Sequence, residues 1–295
     1  MKTGSSVKVH VLRKKTLSML LSFLMVLSSV SIGFVFAPIA MADTWDGTVP
    51  GSATGFSNNH ITSAAGLVWF IRTISNGTDY SGQIVYLDVD VDLNSQDFVG
   101  KGVFPYNDGR YFRGTFNGQN HTISNFKMTD SNHRVAMFRQ TENAVFRNIN
   151  FNNVSITSNG DYSGHAVLVG YHKSGSLTFE NIHVNSGSIS GYRWIGALAG
   201  EIAANSSGNQ LTMTNCSNGA TITGRNTRIG GLAGSSLPAV YAKNCSNTGN
   251  VTSNSTDVGG IVGWIEDDPS TFSGCSNSGN VQGTDSIGGI LGYFG

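Results

Sequence analysis

Ile229-Gly-Gly-Leu-Ala-Gly234 recurs twice further along the chain, as Val258-Gly-Gly-Ile-Val-Gly263 and as Ile287-Gly-Gly-Ile-Leu-Gly292. Each of these glycine blocks follows a Cys-Ser-Asn triplet and starts 13, 13 and 12 residues after its cysteine. The triplets begin 29 and 30 residues apart, at Cys216, Cys245 and Cys275. A period of this length is typical of a solenoid, in which each repeat is one coil that buries its apolar residues against its neighbours.

Weaker copies of the same unit precede these repeats. Asn181-Ile-His-Val184 is followed by Ile195-Gly-Ala-Leu-Ala-Gly200, and Ile182 stands 13 residues before this block in the place of cysteine. A more divergent copy runs from Asn148-Ile-Asn-Phe-Asn-Asn-Val154 to Ala166-Val-Leu-Val-Gly170, with an insertion between its halves. The stack of coils therefore extends well upstream of the cysteines.

The repeated glycines and asparagines have a structural explanation that needs no ligand. A coil turns sharply and brings neighbouring backbones close together, which glycine permits, while the apolar residue between the glycines points inward. The asparagines of the triplets either stack their amides from coil to coil or tolerate a left-handed corner. The positions concerned are Gly231, Gly234, Gly260, Gly263, Gly289, Gly292, Asn218, Asn247 and Asn277.

The three cysteines occupy the same position of successive repeats. Stacked coils place such residues in a row, about 4.8 Å apart along the axis. We expect a buried ladder of free thiols that act as small apolar side chains. The alternatives are one disulfide between adjacent coils, or a thiolate metal site, although the chain has no CxxC pair and no histidine near these cysteines.

The upstream part of the chain indicates a cap followed by short strands. Apolar residues at roughly helical spacing between Ile61 and Ile74 indicate a helix that covers the open end of the stack. The strict alternation from Ile84 to Leu93 predicts a single strand with an acidic face toward solvent. Residues 112–126 predict short strands around an Asn-Gly corner. We expect an all-β parallel solenoid, with an N-terminal cap or linker over residues 43–80 and β-helix repeats over 81–295.

The repeats resemble the GLUG-motif proteins of bacteria. The resemblance lies in Gly231-Leu-Ala-Gly234, Gly260-Ile-Val-Gly263 and Gly289-Ile-Leu-Gly292, with Ala197-Leu-Ala-Gly200 as a weaker copy. The segment from Tyr86 to Phe126 is also similar to the leader that often precedes those repeats, so that the resemblance covers most of residues 60–295. It implies a right-handed parallel β-helix on a secreted or surface-attached bacterial protein. Some members are immunoglobulin-cleaving metallopeptidases, whose catalytic machinery lies outside the repeats.

The first 42 residues indicate export. Five basic residues precede an apolar run from about Leu17 to Phe36, and Pro38-Ile-Ala-Met-Ala42 is a small-x-small cleavage pattern. We expect a signal peptide that is cut after Ala42, although the apolar run is long enough for an uncleaved anchor. Removal of this segment leaves 13 of the 18 basic residues against all 18 acidic ones, a net charge of −5. A net negative charge does not indicate the basic surface that binds nucleic acid or an anionic membrane.

Motifs for catalysis are absent from the sequence. No histidine is followed by glutamate, so the His-Glu-x-x-His pattern of zinc peptidases is missing, and there is no Gly-x-Ser-x-Gly elbow or P-loop. The scattered histidines are expected on the surface or in turns rather than as ligands. They are His60, His121, His133, His165, His172 and His183. We predict no catalytic residue and no required cofactor.

One acidic group is a weak candidate for calcium. Asp88, Asp90 and Asp92 alternate along one predicted strand, so their carboxylates would share a face about 6.6 to 7 Å apart and could hold Ca²⁺ with help from a loop. The spacing resembles the start of an EF-hand loop, but the glycine and terminal glutamate of that motif are missing. The alternative is a solvated acidic face that binds nothing.

Aromatic residues near the glycine blocks suggest a surface for carbohydrate. Tyr192, Trp194, Trp264 and Tyr293 could stack on sugar rings, or could pack against the blocks that they flank. A glycan hydrolase also needs paired carboxylates. The carboxylates of the repeats fall at expected loops and corners, at Asp257, Glu266, Asp267, Asp268 and Asp285.

These observations favour a secreted, cell-surface-associated repeat scaffold with a structural or adhesive role. Its expected partner is a host or matrix protein or a glycan, with no nucleic acid and no membrane once the signal is removed. The alternatives are the non-catalytic arm of a larger immunoglobulin A-type metallopeptidase, or a glycan-active β-helix enzyme. Because the chain ends inside a glycine block, at Ile290-Leu-Gly-Tyr-Phe-Gly295, we expect the natural protein to continue.

Overall fold

The computed structural model describes residues 42–101, 109–131, 134–204, 208–267 and 269–295. Of the predicted signal peptide, residues 1–41 lie outside the described part, as do His133 and Asp268. The described strands form three sheets of 19, six and five strands around one apolar core.

Most strands are short, as expected for coils that turn three times. The first sheet contains β1 (Asp43–Thr44), β2 (Phe56–Ser57), β3 (His60–Ile61), β4 (Ile84–Leu87), β5 (Val91–Asp92), β6 (Thr115–Asn117), β7 (Thr122–Ser124), β9 (Phe138–Asn152), β12 (Val169–Val184), β15 (Ala199–Ile202), β16 (Gln210–Thr214), β17 (Ser217–Asn218), β20 (Ala233–Ser236), β21 (Ala239–Lys243), β22 (Ser246–Asn247), β25 (Val262–Ile265), β26 (Thr271–Ser273), β27 (Ser276–Asn277) and β30 (Leu291–Phe294). The second contains β8 (Lys127–Asp130), β10 (Val154–Ser158), β13 (Gly187–Gly191), β18 (Thr221–Gly224), β23 (Val251–Ser253) and β28 (Val281–Gln282). The third contains β11 (Ser163–His165), β14 (Arg193–Ile195), β19 (Ile229–Gly230), β24 (Thr256–Gly259) and β29 (Asp285–Gly288).

Successive turns of the chain stack in parallel register, so that equivalent residues form rows along the axis. One inward row consists of Val85, Phe116, Phe146, Phe179, Met213, Ala242 and Phe272. Among the described strands, only β2 and β3 pair in antiparallel fashion. The predicted parallel β-helix is therefore confirmed.

The core changes in character along this row. In its N-terminal half the rings of Phe112, Phe138 and Phe146 pack together, with centroids 4.8 to 4.9 Å apart between neighbours. Phe179 continues the stack at 5.6 Å from Phe146. Beyond Phe179 the next two residues of the row are Met213 and Ala242, and Phe272 at its far end is only partly buried. The aromatic packing is therefore concentrated in the first turns.

The single described helix, α1 (Ala64–Ser75), covers the N-terminal end of this core. It begins after Ser63, whose Oγ accepts a hydrogen bond from the backbone N–H of Gly66 at 3.0 Å, a normal N-cap. Phe70 of α1 is fully buried and stacks on Phe116 with centroids 5.6 Å apart. The capping helix predicted between Ile61 and Ile74 is confirmed. In the described part of the chain, no helix combines the length and apolarity needed to cross a bilayer.

The prediction of one continuous strand from Ile84 to Leu93 is wrong. The chain forms β4 and β5, separated by a bend at Val89. β4 pairs with β3 and β6, whereas β5 pairs with β1 and β7, so the bend lets two sides of the coil pair separately with their neighbours. The apolar–polar alternation continues through the bend, and sequence periodicity therefore does not reveal it.

Amide stacking and the left-handed corner, the two roles considered for the asparagines, belong to two different rows of residues. In the triplets, the amide of Asn218 donates to the Oδ1 of Asn247 at 2.8 Å, and Asn247 donates to Asn277 at 2.7 Å. These amides stack in the interior of the coil. The left-handed corner instead falls on the residue before each cysteine, or its equivalent in earlier turns. The residues of this second row are Asn148, Asn181, Asn215, Asn244 and Gly274, with φ between 53° and 64°.

Candidate functional site

The glycine blocks make one corner of the coil unusually thin. The strand before each block and the strand after it lie backbone against backbone, and a Cβ on Gly234 would overlap the backbone of Trp194 and Ile195. The repeat glycines in such close contact are Gly231, Gly234, Gly260, Gly263 and Gly292, whereas a Cβ on Gly289 meets nothing within 4 Å. Because no side chain fits between the two strands, larger side chains next to the blocks lie outside the corner.

The residue two positions before each Gly-Gly pair has a left-handed backbone. The φ values are 56°, 64°, 61° and 53° at Trp194, Arg228, Asp257 and Ser286, which pairing of the third sheet places in one row. Non-glycine residues adopt this conformation infrequently. Its repetition in four successive turns indicates that the corner itself requires it.

A second row lies on the strand that follows each block. The register of the first sheet aligns Tyr171, Glu201, Ser235, Trp264 and Tyr293 in consecutive turns. The two rows meet outside the corner, since the Nη1 of Arg228 lies 3.4 Å from the Oγ of Ser235. The thin corner thus carries a line of long side chains along the axis.

Arginines from one row cover aromatic rings of the other. The guanidinium carbon of Arg134 lies 3.6 Å from the ring centroid of Tyr171 in the next turn. Arg228 lies between two indoles, 3.8 Å from the Trp264 centroid and 5.4 Å from the Trp194 centroid. We call this group of side chains the Arg–aromatic ridge. It consists of Arg134, Tyr171, Arg193, Trp194, Glu201, Arg228 and Trp264.

Glu201 lies in the middle of the ridge. Burial raises the pKa of its carboxyl to about 7, although the positive charges of Arg134, Arg193 and Arg228 and a hydrogen bond from Ser163 act in the opposite direction. A carboxyl with this pKa is partly protonated at neutral pH and can donate a hydrogen bond as well as accept one. For the Glu201 carboxyl, burial thus outweighs the effect of its three cationic neighbours.

Several polar atoms of the ridge have no protein partner. Among the described residues, the Oε2 of Glu201, the Nε1 of Trp194 and the Nε of Arg193 are buried without a hydrogen-bond partner. No carboxylate oxygen of the described residues lies within 4 Å of a guanidinium nitrogen of Arg134, Arg193 or Arg228. Because its guanidinium groups lack carboxylate partners among the described residues, the ridge is chemically suited to bind an oxyanion.

A second cationic group lies at a different corner. Arg113 lines a shallow cavity of about 410 Å³ together with Gln83, Thr115 and Asn143. Its guanidinium donates to Asp79 at 2.8 Å and to Glu142 at 2.7 Å. A backbone hydrogen bond from Ser81, together with Arg113, holds the pKa of Asp79 below its usual range, and Arg113 lowers the pKa of Glu142 against the raising effect of burial. Because this charge is already neutralised within the protein, the cavity is a weaker candidate than the ridge.

Two histidines that were expected at the surface are in the interior. His165 and His172 are fully buried, and burial lowers the pKa of each to about 4. In each ring Nε2 lies 3.0 Å from a backbone carbonyl, that of Tyr162 or of Gly175, so Nε2 is the donor and the ring is neutral. The expectation failed for these two because a neutral imidazole with both nitrogens satisfied fits a polar gap in the core.

The three aspartates considered for calcium each hydrogen-bond to a different side chain. The carboxylate of Asp88 bonds to His60 at 2.8 Å, that of Asp90 to His121 at 2.9 Å, and that of Asp92 to the Nδ2 of Asn125 at 2.7 Å. Each carboxylate thus contacts a neighbouring turn. Across the described residues, no three His, Cys, Asp or Glu side chains are grouped so that they could hold a metal ion.

The structure places the cysteines in one inward-facing row of consecutive turns, with free thiols. Cys216 and Cys245 are at most 1% exposed, while Cys275 is half-buried in the last turn. Burial raises the pKa values of the Cys216 and Cys275 thiols. This geometry fits small apolar side chains better than reactive nucleophiles.

Of the four aromatic residues proposed to stack on sugars, two have their faces covered. Arg228 covers Trp264, which is only 9% exposed, and also lies against Trp194. Tyr192 accepts a hydrogen bond at its hydroxyl from Asn226, and only Tyr293 is widely exposed, at 45%. No sequence motif marks Glu201 or the arginines of the ridge as functional residues. Aligning the residues just outside each glycine block would have placed them in rows, but not shown that the rows touch.

Comparison with known proteins gives one informative match. A crystal structure of a candidate immunoglobulin A1 protease from Bacteroides ovatus is similar, with a TM-score of 0.53 and 22% sequence identity over 75% of this chain and 68% of that chain. At this identity the similarity shows the fold alone. No family model matches the chain, and no curated protein sequence matches it. The resemblance to GLUG-motif proteins stays a prediction.

Proposed function

We propose that this protein is a repeat scaffold that is secreted, remains associated with the cell surface and holds an extracellular ligand on its lateral face. The observation that carries the proposal is the Arg–aromatic ridge, in which donors of Arg134, Arg193 and Arg228 are aligned along the axis without carboxylate partners among the described residues. A solenoid keeps such rows at a fixed spacing because every turn is paired with its neighbours. Rigid, pre-aligned groups lose little entropy on binding.

Secretion and surface location rest on the leader pattern of residues 1–42, and the adhesive role rests on the repeat architecture and the ridge. The resemblance to GLUG-motif proteins points the same way. A repeat scaffold with its binding groups on the side of the stack suits attachment to a host or matrix component, since the contact area grows with the number of turns.

The second candidate is a non-catalytic arm of a larger protease. The fold similarity to the Bacteroides ovatus protein motivates it. In that arrangement the solenoid would position a catalytic domain that lies elsewhere. Cleavage of immunoglobulin A by the producing strain, lost on deletion of the gene but kept in the ridge variant described next, would favour this candidate over adhesion.

Adhesion is tested with the full chain and a matched pair of variants. R134Q/R228Q removes two charges from the ridge, and K127Q/K243Q removes two charges from β8 and β21, away from the ridge. We expect the native chain and K127Q/K243Q to bind an extracellular-matrix or mucin surface, and R134Q/R228Q to lose most of that binding. Equal binding by all three chains, or none by the native chain, would contradict the proposal.

A further inference from the structure

We infer that the Arg–aromatic ridge binds a linear acidic polysaccharide whose uronate carboxylates contact Arg134, Arg193 and Arg228 along the solenoid axis. The inference rests on the proposed function, because it names the ligand class of the same surface. It follows from four properties of the ridge: unpaired guanidiniums, their fixed orientation, their spacing, and the hydrogen-bonding groups between them.

The first property is the number of unpaired cations. Elsewhere in the described chain, Arg113 and Arg139 are paired with carboxylates at 2.6 to 2.8 Å. In contrast, Arg134 and Arg193 have no such partner among the described residues, although the charges of both act on the carboxyl of Glu201. A carboxylate ligand would supply the missing partner with charge-assisted hydrogen bonds.

The second property is orientation. The planar guanidinium groups lie close to aromatic rings, at 3.6 Å for Arg134 on Tyr171 and 4.7 Å for Arg193 on Trp194. Stacking covers the face of a guanidinium and leaves its N–H edge to donate in the plane. The edge is the part that recognises a carboxylate in bidentate fashion. The aromatic rings thus hold the donors in place and are not themselves platforms for a ligand.

The third property is spacing. The strands β11, β14 and β19 belong to three consecutive turns. Arg134 lies in the turn before β11, Arg193 lies in β14, and Arg228 directly precedes β19, so three turn-to-turn intervals separate the first arginine from the last. Neighbouring turns are about 4.8 Å apart, so the three guanidiniums span about 14 Å of the axis. One small anion cannot reach all three. A linear polymer with a carboxylate on each unit can.

The fourth property separates polysaccharide from nucleic acid. Single-stranded nucleic acid needs open aromatic faces on which bases stack. Arg228 covers the face of Trp264, so that face is not open for a base to stack on. Ser163, which is partly exposed and hydrogen-bonds to Glu201, instead offers a hydroxyl that both donates and accepts hydrogen bonds, which suits sugar hydroxyls.

Two acidic residues limit the ridge on its C-terminal side. Asp257 and Glu266 lie near Arg228 and raise its pKa against the lowering effect of burial. The Oδ2 of Asp257 accepts a hydrogen bond from Thr227 at 2.5 Å. Negative charge at this end would repel further uronates, so the site is expected to end there and to be strengthened when Asp257 is neutralised.

The test measures binding of the full chain to polygalacturonate by isothermal titration calorimetry, with fully methyl-esterified polygalacturonate as the neutral ligand of the same backbone. We expect binding to the acid form only. R134Q/R228Q should weaken it by about tenfold for each guanidinium removed. R134K/R228K should be intermediate, because lysine keeps the charge and loses the planar fork. K127Q/K243Q should stay within about twofold, and D257N should bind more tightly.

The binding results that would overturn this inference differ from those that would overturn the proposed function. Equal binding of both polymers, equal loss in K127Q/K243Q, or preference for double-stranded DNA at the ridge would overturn the inference. Thermal melting of each variant checks its fold, and R134K/R228K supplies the comparison if R134Q/R228Q does not fold. If the chain binds the matrix surface but not polygalacturonate, the ligand class is wrong and adhesion stands. Binding to neither contradicts both.

Discussion

Arg228 and Trp264 belong to consecutive turns of the solenoid, and the guanidinium carbon of one lies 3.8 Å from the ring centroid of the other. The contact depends on the left-handed backbone of Arg228, with φ of 64°, which directs the side chain across the corner. Trp194 lies against the same guanidinium at 5.4 Å. The corner that the glycines make thin is therefore held on its outer side by a cation between two indoles.

Replacing Arg228 with glutamine should weaken this corner. Cation–π contacts contribute about 0.5 to 2 kcal/mol each, depending on how far they are removed from water. We expect the free energy of unfolding of R228Q, measured with urea, to fall by about 1 kcal/mol, together with a change in tryptophan fluorescence of the folded chain. K243Q is the control, and an unchanged midpoint in R228Q would show that the stack does not stabilise the fold.

Alanine at Gly260 should be far more harmful than alanine at Gly289. A Cβ on Gly260 would overlap the carbonyl oxygen of Gly289, whereas the same atom on Gly289 has open space around it. We expect G260A to lose at least about 2 kcal/mol of stability and G289A to lose under about 1 kcal/mol, measured by thermal unfolding. Similar values for the two variants would mean that the backbones of neighbouring turns can separate at little cost.

The stability of the fold should depend on pH between about 4 and 6.5. Burial lowers the pKa of His165 and of His172 to about 4, so the unfolded chain takes up protons first as the pH falls through 6.5. Stability from these groups is complete above the unfolded value and is lost as pH falls toward 4, by roughly 3 kcal/mol for each histidine.

The raised pKa of Glu201 changes the stability of the fold with pH in the opposite direction. Its folded form holds a proton up to about pH 7, so its contribution decreases as the pH rises from the usual carboxyl range toward 7. Chemical unfolding at pH 7 and at pH 5 should therefore show a net loss at pH 5, larger in E201Q and smaller in H165Q. A flat profile in the native chain would mean that the histidines are accessible to protons in the folded state.

Ligand binding at the ridge should weaken as the pH rises from 6 to 8. Deprotonation of Glu201 adds a negative charge among Arg134, Arg193 and Arg228, and it also removes a donor. The neighbouring His165 and His172 do not titrate in this range, since their pKa values are about 4, and the pKa of Tyr171 is raised above its usual value near 10. Calorimetry with polygalacturonate should show this trend in the native chain and not in E201Q. The same slope in E201Q would assign the pH dependence to another group.

The thiols should differ in reactivity according to their place in the row. Cys216 and Cys245 are at most 1% exposed, and Cys275 is half-buried. A thiol–disulfide exchange reagent such as dithiobis(nitrobenzoate) should modify Cys275 slowly in the native chain, and all three thiols after unfolding. C275S should abolish the native reaction. Rapid modification of more than one thiol in the native chain would mean that the last turns open readily.

The repeat period predicted the architecture because each part of the unit has one physical role in every turn. The cysteine row, the inward apolar positions and the capping helix all follow from patterns that a single turn repeats. The bend at Val89 was not predictable, because alternation of apolar and polar residues does not report a change of direction. The ridge was also missed, because the contact of Arg228 with Trp264 depends on a φ value that sequence alone does not show. Likewise, His165 is buried because its neutral imidazole fits a polar gap in the core, and no sequence motif indicates that gap.

The aromatic packing around Phe138 has a consequence for the order of folding. Phe112, Phe138 and Phe146 and the capping α1 lie in the half of the chain that a ribosome makes first. In a one-dimensional array, the most strongly packed turns act as a nucleus from which others grow. The later turns, with their small and aliphatic interior, can then be added one at a time onto an edge that already exists. The direction of synthesis and the gradient of side-chain size thus favour the same sequence of events, in which each new turn uses the previous one as its template.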